Sequence, residues 1–373
     1  MNFHPLLRAA RARIGEAQGQ AIQAGLLPNP QQNSGNPVQL GGRNSTYSAG
    51  VIQQVPTAGK LRLDVAAARQ AIRQAEFGFT QQRFEVLTAV RQQFYELLAA
   101  QQRAETLSTL VGIASQSLAA MEGVYKAGFV KTGDVLQIRI ELRRIQIALR
   151  NAEITAAAMR RSLAAVAGAP QLVVGRIEGD LTPHLPEYDD ALVSGEVLAR
   201  NAKLGMARAS IAKSQFLLRR ARVQPIPNLI VQSGFQYTAT EPHKQALIGT
   251  YFDIPIWDRN QGNIRSANFG LSAANAQLRA AQNELLQQLA TAIGRSRGAQ
   301  QTLTALRDLV LPDARENLRL VELEMANGQT DLFRLLQAQR SLFEANLDIV
   351  SAELNALAAA IEIAGLLQQE QFP

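Results

Sequence analysis

The sequence predicts a mainly α-helical chain with a small β part, in which long helical hairpins and short strands occur in duplicate. Three observations predict this. Segments of the first half recur, in the same order, some 200 residues later. Residues 60–125 contain no proline and can form one helix about 95–100 Å long. Runs of alternating apolar and polar residues lead into the long helical segments of both halves, the mark of half-buried strands.

Composition supports the helical part. The chain has 373 residues, 47 % hydrophobic and only 5 % aromatic, with abundant alanine, leucine and glutamine. There is no cysteine, so no disulfide, thiolate metal site or lipidated cysteine is expected within these residues. The net charge of +7 is carried mostly by arginines dispersed among glutamines and glutamates, without aromatic clustering. That pattern reads as solvated helix faces rather than a nucleic-acid surface, although a basic chain can be drawn to anionic surfaces. No stretch approaches the apolar length of a transmembrane helix. The opening "MNFHPLLRAARARIGEAQG" lacks the apolar core of a signal peptide and reads as the inside of an amphipathic helix.

The repeat fixes the order of elements. "LLPNP" (26–30) precedes "VQPIPN" (223–228) by about 197 residues, and "QQVPTAGKLR" (53–62) precedes "FDIPIWDRNQ" (252–261) by about 199. "AGFVKTGDVLQIR" (127–139) precedes "NGQTDLFRLLQAQ" (327–339) by 200. There Gly128, Leu136 and Gln137 coincide with Gly328, Leu336 and Gln337. The first copy spans 1–168, residues 169–190 form a proline- and glycine-rich linker, the second copy spans 191–368, and 369–373 are a tail. Each copy reads as helix, two strand candidates, long helix, glycine turn and returning helix. Pro312 should kink the second long helix. The returning helices carry 4-3 apolar seams. One runs Ile138, Leu142, Ile145, Leu149, Ala152, Ala156, Met159, Leu163, Val166; the other runs Phe343, Leu347, Val350, Leu354, Leu357, Ile361, Ala364.

The strand candidates raise a membrane question. In "NLIVQSGFQYT" (228–238), Leu229, Val231, Phe235 and Tyr237 share one face, and "ALIGTYFDIP" (246–255) is its partner through a turn at "EPHK" (241–244). In "TYSAGVIQQV" (46–55), Tyr47, Ala49 and Val51 share a face, with a weak partner within 31–43. Hairpins on the ends of soluble helices would explain this, and so would a membrane barrel with apolar residues toward lipid. In lipid an open sheet edge is not tolerated, and four strands cannot close. Hairpins that enter a membrane must therefore be pooled by several chains, with the helices projecting into water.

These features resemble the outer-membrane factor family of tripartite efflux systems, the TolC-like proteins, over residues 4 to 368. The resemblance rests on the duplicated order, the "LLPNP" helix ending, the strand exit from Gln53 to Lys60 and the glycine tips. "IPIWDRNQGNI" is most similar to the heavy-metal, CzcC-like branch. The resemblance implies a homotrimer, with a trimeric α-barrel and a 12-stranded transmembrane β-barrel to which each chain gives four strands. It also implies residence in the outer membrane with a periplasmic extension, a periplasmic adaptor and an inner-membrane pump of the resistance-nodulation-division (RND) class. Members carry an export signal; Met1 falls inside the first helix, so the start is expected to be truncated.

Two groups of residues are candidate sites. The barrel-to-tunnel junctions comprise Pro56, Gly59 and Lys60 in the first copy, and Pro255, Trp257, Asp258, Asn260 and Gly262 in the second. Pro255 is expected to end ladder pairing, Trp257 to suit the membrane–water boundary, and Asp258 or Asn260 to cap the helix. A plain strand–turn–helix junction explains the same residues without a membrane. The tip and pore candidates are Gly128, Asp134, Gln137, Gly328, Arg334 and Gln337. Arg334 stands where some relatives place an acidic ring, so the tip is expected to use Arg334, paired with Asp134 of a neighbouring hairpin, unless Arg334 is an ordinary solvated charge.

No cofactor or metal site is expected. His4, His184 and His243 are far apart in sequence, Met121, Met159, Met206 and Met325 read as packing residues, and nucleophile–base motifs and phosphate loops are missing. An enzyme is therefore not expected. A soluble helical scaffold leaves the alternation and "WDRNQGN" unexplained, and an adaptor would have one hairpin rather than two. Within the channel reading, drugs or proteins are alternatives to metal ions.

Overall fold

A computed structural model describes residues 4–33, 45–127, 130–181, 188–238, 243–327 and 332–372. In the first copy, α1 (Pro5–Ala24) leads to β1 (Gln31–Asn33) and β2 (Thr46–Val55), then α2 (Lys60–Lys126) and α3 (Thr132–Val166). In the second, α4 (Asp190–Arg200) and α5 (Ala202–Val223) precede β3 (Leu229–Thr238), β4 (His243–Tyr251) and α6 (Gln261–Ala305). A π turn (Leu306–Val310) then joins α6 to α7 (Leu311–Ala326), and α8 (Leu332–Leu367) returns. At 67 residues, α2 is about 100 Å long. The glycine turns at Gly128 and Gly328 lie outside the described residues.

The strands form one antiparallel sheet in the order β1-β2-β3-β4. The two hairpins are thus paired with each other: β2 and β3 match along their whole length, from Thr46↔Thr238 to Val55↔Leu229. Alternation places Tyr47, Ala49, Val51 and Val55 on the same face as Leu229, Val231, Phe235, Tyr237 and Ile248. Gln53, Ser233, Lys244 and Thr250 interrupt it, and with Phe235 72 % and Ile248 83 % exposed this face is exposed and largely apolar. The opposite face carries Ser48, Gly50, Gln54, Gln232, Gly234, Gln236 and Gln245 together with Ile52, Ile230, Leu247 and Tyr251, so it is mixed and the more polar of the two. Two expected boundaries need correction. His243 and Lys244 belong to β4 rather than to the turn, because they pair with Thr238 and Tyr237. β4 ends at Tyr251, four residues before Pro255, because its last partner is Ile230 and β3 begins only at Leu229.

Two compact units are built from both copies. One contains Met1–Leu7, Gln82–Asn201 and Glu284–Pro373; the other contains Arg8–Gln81 and Ala202–Asn283, including the sheet. In the first unit, Leu107, Leu110 and Ala114 of α2 pack on Leu142, Ile145 and Ala152 of α3, with Phe343 and Leu347 of α8 against them. The expected α3 seam is therefore the buried stripe. The second seam is wider than expected: besides Val350, Leu357, Ile361 and Ala364, α8 buries Ala352, Ala356, Ala359, Ala360 and Ile363. Phe333–Leu367 is, contrary to the sequence reading, long and apolar enough to cross a membrane by composition. Burial of most of that stretch, together with the buried Glu353 held by Arg307 at 2.5 Å, marks a core helix instead.

Pro312 acts slightly upstream of its own position. The Leu311 N–H bonds to Leu306 O, five residues back, and the helix widens into the π turn before the proline. A proline ring would collide with the carbonyl four residues before it, and widening the turn relieves that collision.

The two copies also share a tether that periodicity alone does not reveal. His4 stands one residue before α1 and its Nε2 contacts Val166 O at 3.0 Å, at the end of α3. Asn201 stands one residue before α5 and donates to Leu366 O at 2.9 Å, at the end of α8. Both side chains are buried. After each returning helix comes a left-handed residue, Gly168 (φ 78) and Gln368 (φ 57), 200 positions apart. Ala169 N–H to Ala164 O and Gln369 N–H to Ala364 O close the same six-to-one caps.

Gly168 also abuts His4, whose Cδ2 lies 2.6 Å from where a Cβ would stand, whereas Gly133, in the first turn of α3, meets nothing. Gly168→Ala should lower the stability of the folded chain by about 1–3 kcal/mol through backbone strain and displacement of His4. Gly133→Ala should leave it unchanged or slightly raised. Urea midpoints of the two variants provide the check.

Candidate functional site

The candidate site is the pair of strand-to-helix junctions, both within the sheet-containing unit. A strand delivers the chain extended, and a helix must begin within a few residues, so the backbone has to turn sharply. β2 ends at Val55, immediately before Pro56, which cannot donate to a ladder. Ala58 (φ 55) and Gly59 (φ 68) then take left-handed conformations, and Gly59 O accepts the first helical bond of α2, from Leu63 N–H. In the second copy Asn260 (φ 59) does the same, with Ile264 N–H donating to its carbonyl. Glycine and asparagine are the residues that enter this region at least cost.

The first junction is locked by a buried amine. Lys60, 3 % exposed, donates from Nζ to Ile226 O at 2.5 Å and to Asn228 Oδ1 at 2.6 Å. Thr57 Oγ1 donates to Pro227 O, and Thr57 N–H to Asn228 Oδ1 at 3.4 Å. Arg220 of α5 pairs with Asp64 of α2 at 2.9 Å. Gln53 donates to Pro28 O at 2.9 Å, which ties the strand exit to the "LLPNP" helix ending. The lysine of the first exit therefore grips the "IPN" segment that opens β3. Burial, and secondarily the nearby Arg220 charge, pull the Lys60 ammonium below its ordinary pKa.

The second junction is a turn bonded chiefly to itself. Asp258 Oδ1 accepts from Asn260 N–H at 2.9 Å, Gln261 Oε1 from Arg259 N–H at 2.8 Å, and Trp257 O from Gln261 Nε2 at 3.2 Å. Arg259 Nε reaches Ile256 O at 3.3 Å. Asn260 Nδ2 donates outward to Ala221 O at 2.8 Å, joining the start of α6 to the end of α5. The expected cap is modified: Asn260 Oδ1 accepts from the Asn263 side chain at 2.6 Å, and Asp258 turns the chain one step earlier. Trp257 is 86 % exposed beside exposed Ile254, Ile256 and Phe252. A Cβ at Gly262 would meet nothing, so no close approach demands glycine there.

At the tip, Asp134 accepts from Lys131 N–H at 3.1 Å and so caps α3. Gln137 and Gln337 line a surface groove with Glu141, Arg144, Arg340 and Glu344. Arg334 is exposed on the first turn of α8. Sequence reasoning passed over Asn228, Gln261, Arg220–Asp64 and the His4/Asn201 tethers. The placement of His4 and Asn201, each one residue before a helix and 197 apart, was the available signal.

A sheet whose strands pass twice through such turns into long paired helices is the fold of the outer-membrane factor channels. Residues 193–368, the second copy, match the family described as outer membrane efflux protein. The cobalt-zinc-cadmium resistance protein CzcC of Cupriavidus metallidurans is 25 % identical over 350 residues, covering 93 % of this chain and 82 % of that protein. Crystal structures of CusC superpose with a TM-score of 0.84 at 16 % identity, over 98 % of this chain and 89 % of that one. The outer membrane protein VceC of Vibrio cholerae gives 0.80 at 20 %, over 98 % and 93 %. The resemblance to the outer-membrane factor family, and to its metal-resistance branch, therefore holds.

Lys60→Met should destabilise the fold by about 2–4 kcal/mol, since it removes the donor to Ile226 O and leaves Asn228 Oδ1 only the longer bond from Thr57 N–H, whereas Arg62→Ala should be near neutral. The sign of the pH effect follows from the lowered pKa. Between the folded-state pKa and about 10.4 the unfolded chain binds more protons than the folded one, so this group makes stability rise with pH there. Denaturation midpoints against alkaline pH should lose that component in Lys60→Met.

Proposed function

We propose that the chain is the outer-membrane channel component of a tripartite efflux system. It is a passive exit duct for divalent heavy-metal cations delivered by an inner-membrane RND pump and a periplasmic adaptor. The observation that carries this reading is the sheet. It has one exposed, largely apolar face, a more polar opposite face and, among the described residues, two edges without a partner, β1 and β4, and β2 and β4 lead into α2 and α6. β2 and β3, of 10 residues each, and β4, of 9, match the length of about 9–11 needed to cross a bilayer, while the described part of β1 has 3. Three copies supply twelve strands, above the minimum of about eight for closure. The likeness to a cobalt-zinc-cadmium resistance protein supports metal ions as the cargo. A duct does not need to coordinate what it passes, so selectivity belongs to the pump.

The resting tip closes on Arg334, paired with Asp134 of a neighbouring hairpin. Support comes from their placement on the first turns of α8 and α3, beside the charged groove.

Two measurements test these readings. In reconstitution, Phe235→Arg on the apolar face should abolish a gel-stable trimer of the 40.5 kDa chain, at a cost of about 2–4 kcal/mol per subunit. Gln236→Arg on the polar face should leave it intact; a water-soluble monomer would overturn the channel. In planar bilayers, Arg334→Ala should raise conductance and change ion selectivity, and unchanged values would exclude Arg334 from the closure.

A further inference from the structure

Arginines that look dispersed along the sequence are segregated in space. The sheet-containing unit holds 18 lysines and arginines against 6 aspartates and glutamates. Of the chain's 38 and 31, this leaves 20 and 25 in the other unit, so one is net basic and the other net acidic.

The excess gathers where strands meet helices. Arg62 lies in the first turn of α2, Arg219 and Arg222 within the last five residues of α5, Arg259 just before α6 and Arg265 at its fifth residue. All five are exposed. None has a carboxylate partner among the described residues, whereas Arg220, between two of them, is paired with Asp64. Asp258, the acid nearest Arg259, is occupied in its own turn by Asn260 N–H. Exposed aromatic and aliphatic side chains lie in the same stretch: Tyr251, Phe252, Ile254, Ile256, Trp257 and Phe269, the last under the Arg265 guanidinium at 5.9 Å. An uncompensated basic group beside bare apolar surface costs solvation and repulsion unless an anionic amphiphile covers it. Lipid headgroups above acyl chains supply both complements, and guanidinium planes take phosphate oxygens in pairs.

We infer that these five arginines form a docking surface for anionic phospholipid headgroups at the helix-side rim of the sheet. The inference rests on the outer-membrane reading above and adds to it a lipid class and a set of residues. The charge fixes depth: hydrocarbon meets the apolar face of the sheet, and phosphates meet the arginines one helical turn beyond the strand ends. Trp257, between the end of β4 and Arg259, then lies at the boundary between the two.

The test uses the full-length protein, refolded from detergent into vesicles of phosphatidylcholine alone or with a minority of phosphatidylglycerol. Insertion is read by flotation and by the heat-modifiable band. Phosphatidylglycerol should increase insertion at low salt, and molar salt should cancel the gain. In the combined variant Arg62→Gln, Arg222→Gln, Arg265→Gln, insertion into neutral vesicles should be retained. The preference for anionic vesicles should fall on the order of a hundredfold, from about fivefold per removed charge. Arg143→Gln, Arg150→Gln and Arg315→Gln together, in the acidic unit, should retain the preference. Equal insertion into both vesicle types, an equal loss in the control variant, or competition by inorganic phosphate would each overturn the lipid surface. Failure of the unmodified protein to insert into either vesicle would instead overturn the channel reading, and this inference with it.

Discussion

Two unpaired strand edges govern the rest of this molecule. Among the described residues β1 and β4 each leave one side of their backbone without a ladder partner, and the face carrying Phe235 and Ile248 is exposed and largely apolar. In water such an edge is a liability that proteins cover or charge. In hydrocarbon it cannot persist at all, because every unmet peptide group costs several kcal/mol. If the sheet sits in a membrane, as proposed, four strands from one chain cannot roll into a closed wall, and other copies would have to complete it. The helices that leave the sheet are several times longer than a hydrocarbon core is thick, and their faces carry abundant polar side chains. On the proposed reading, membrane wall and aqueous rods both follow from one sheet that is incomplete by itself.

The junctions make that combination possible. Each helix is entered through a left-handed residue immediately before it, four residues after β2 and nine after β4, and each copy provides that residue with a different side chain. Gly59 enters without a Cβ penalty, and Asn260 offsets its penalty with two side-chain hydrogen bonds. The buried Lys60 shows the same economy. Its ammonium is kept from water, which depresses its pKa, but two acceptors from the neighbouring strand entrance satisfy it. Both junctions are thus held by contacts to the end of α5 or the start of β3, which ties the two copies together at the base of the sheet.

Much of this was legible because long-range order in the sequence was strong. The 200-residue offset located the paired elements, and strict 4-3 spacing located the buried stripe of α3. The α8 seam was underread: alanines at 352, 356, 359 and 360 count weakly in any apolar pattern yet are fully enclosed. Pairing between the hairpins was not legible, because alternation gives a strand its faces but not its neighbour. The end of β4 was missed for a related reason. Pro255 is the conspicuous residue, but the ladder stops where the partner strand begins, at Leu229. Basic residues spread evenly along the chain concealed their concentration around the strand ends, which arises only when α2, α5 and α6 converge there.

The His4 and Asn201 tethers have a consequence for the two halves. Each copy fastens its own opening residue to the far end of its own return helix, His4 to Val166 and Asn201 to Leu366. Neither fastening borrows an atom from the other copy, so this contact closes within each half even though the sheet and the helical core draw on both. Imidazole in one half and carboxamide in the other thus perform one mechanical task with different chemistry.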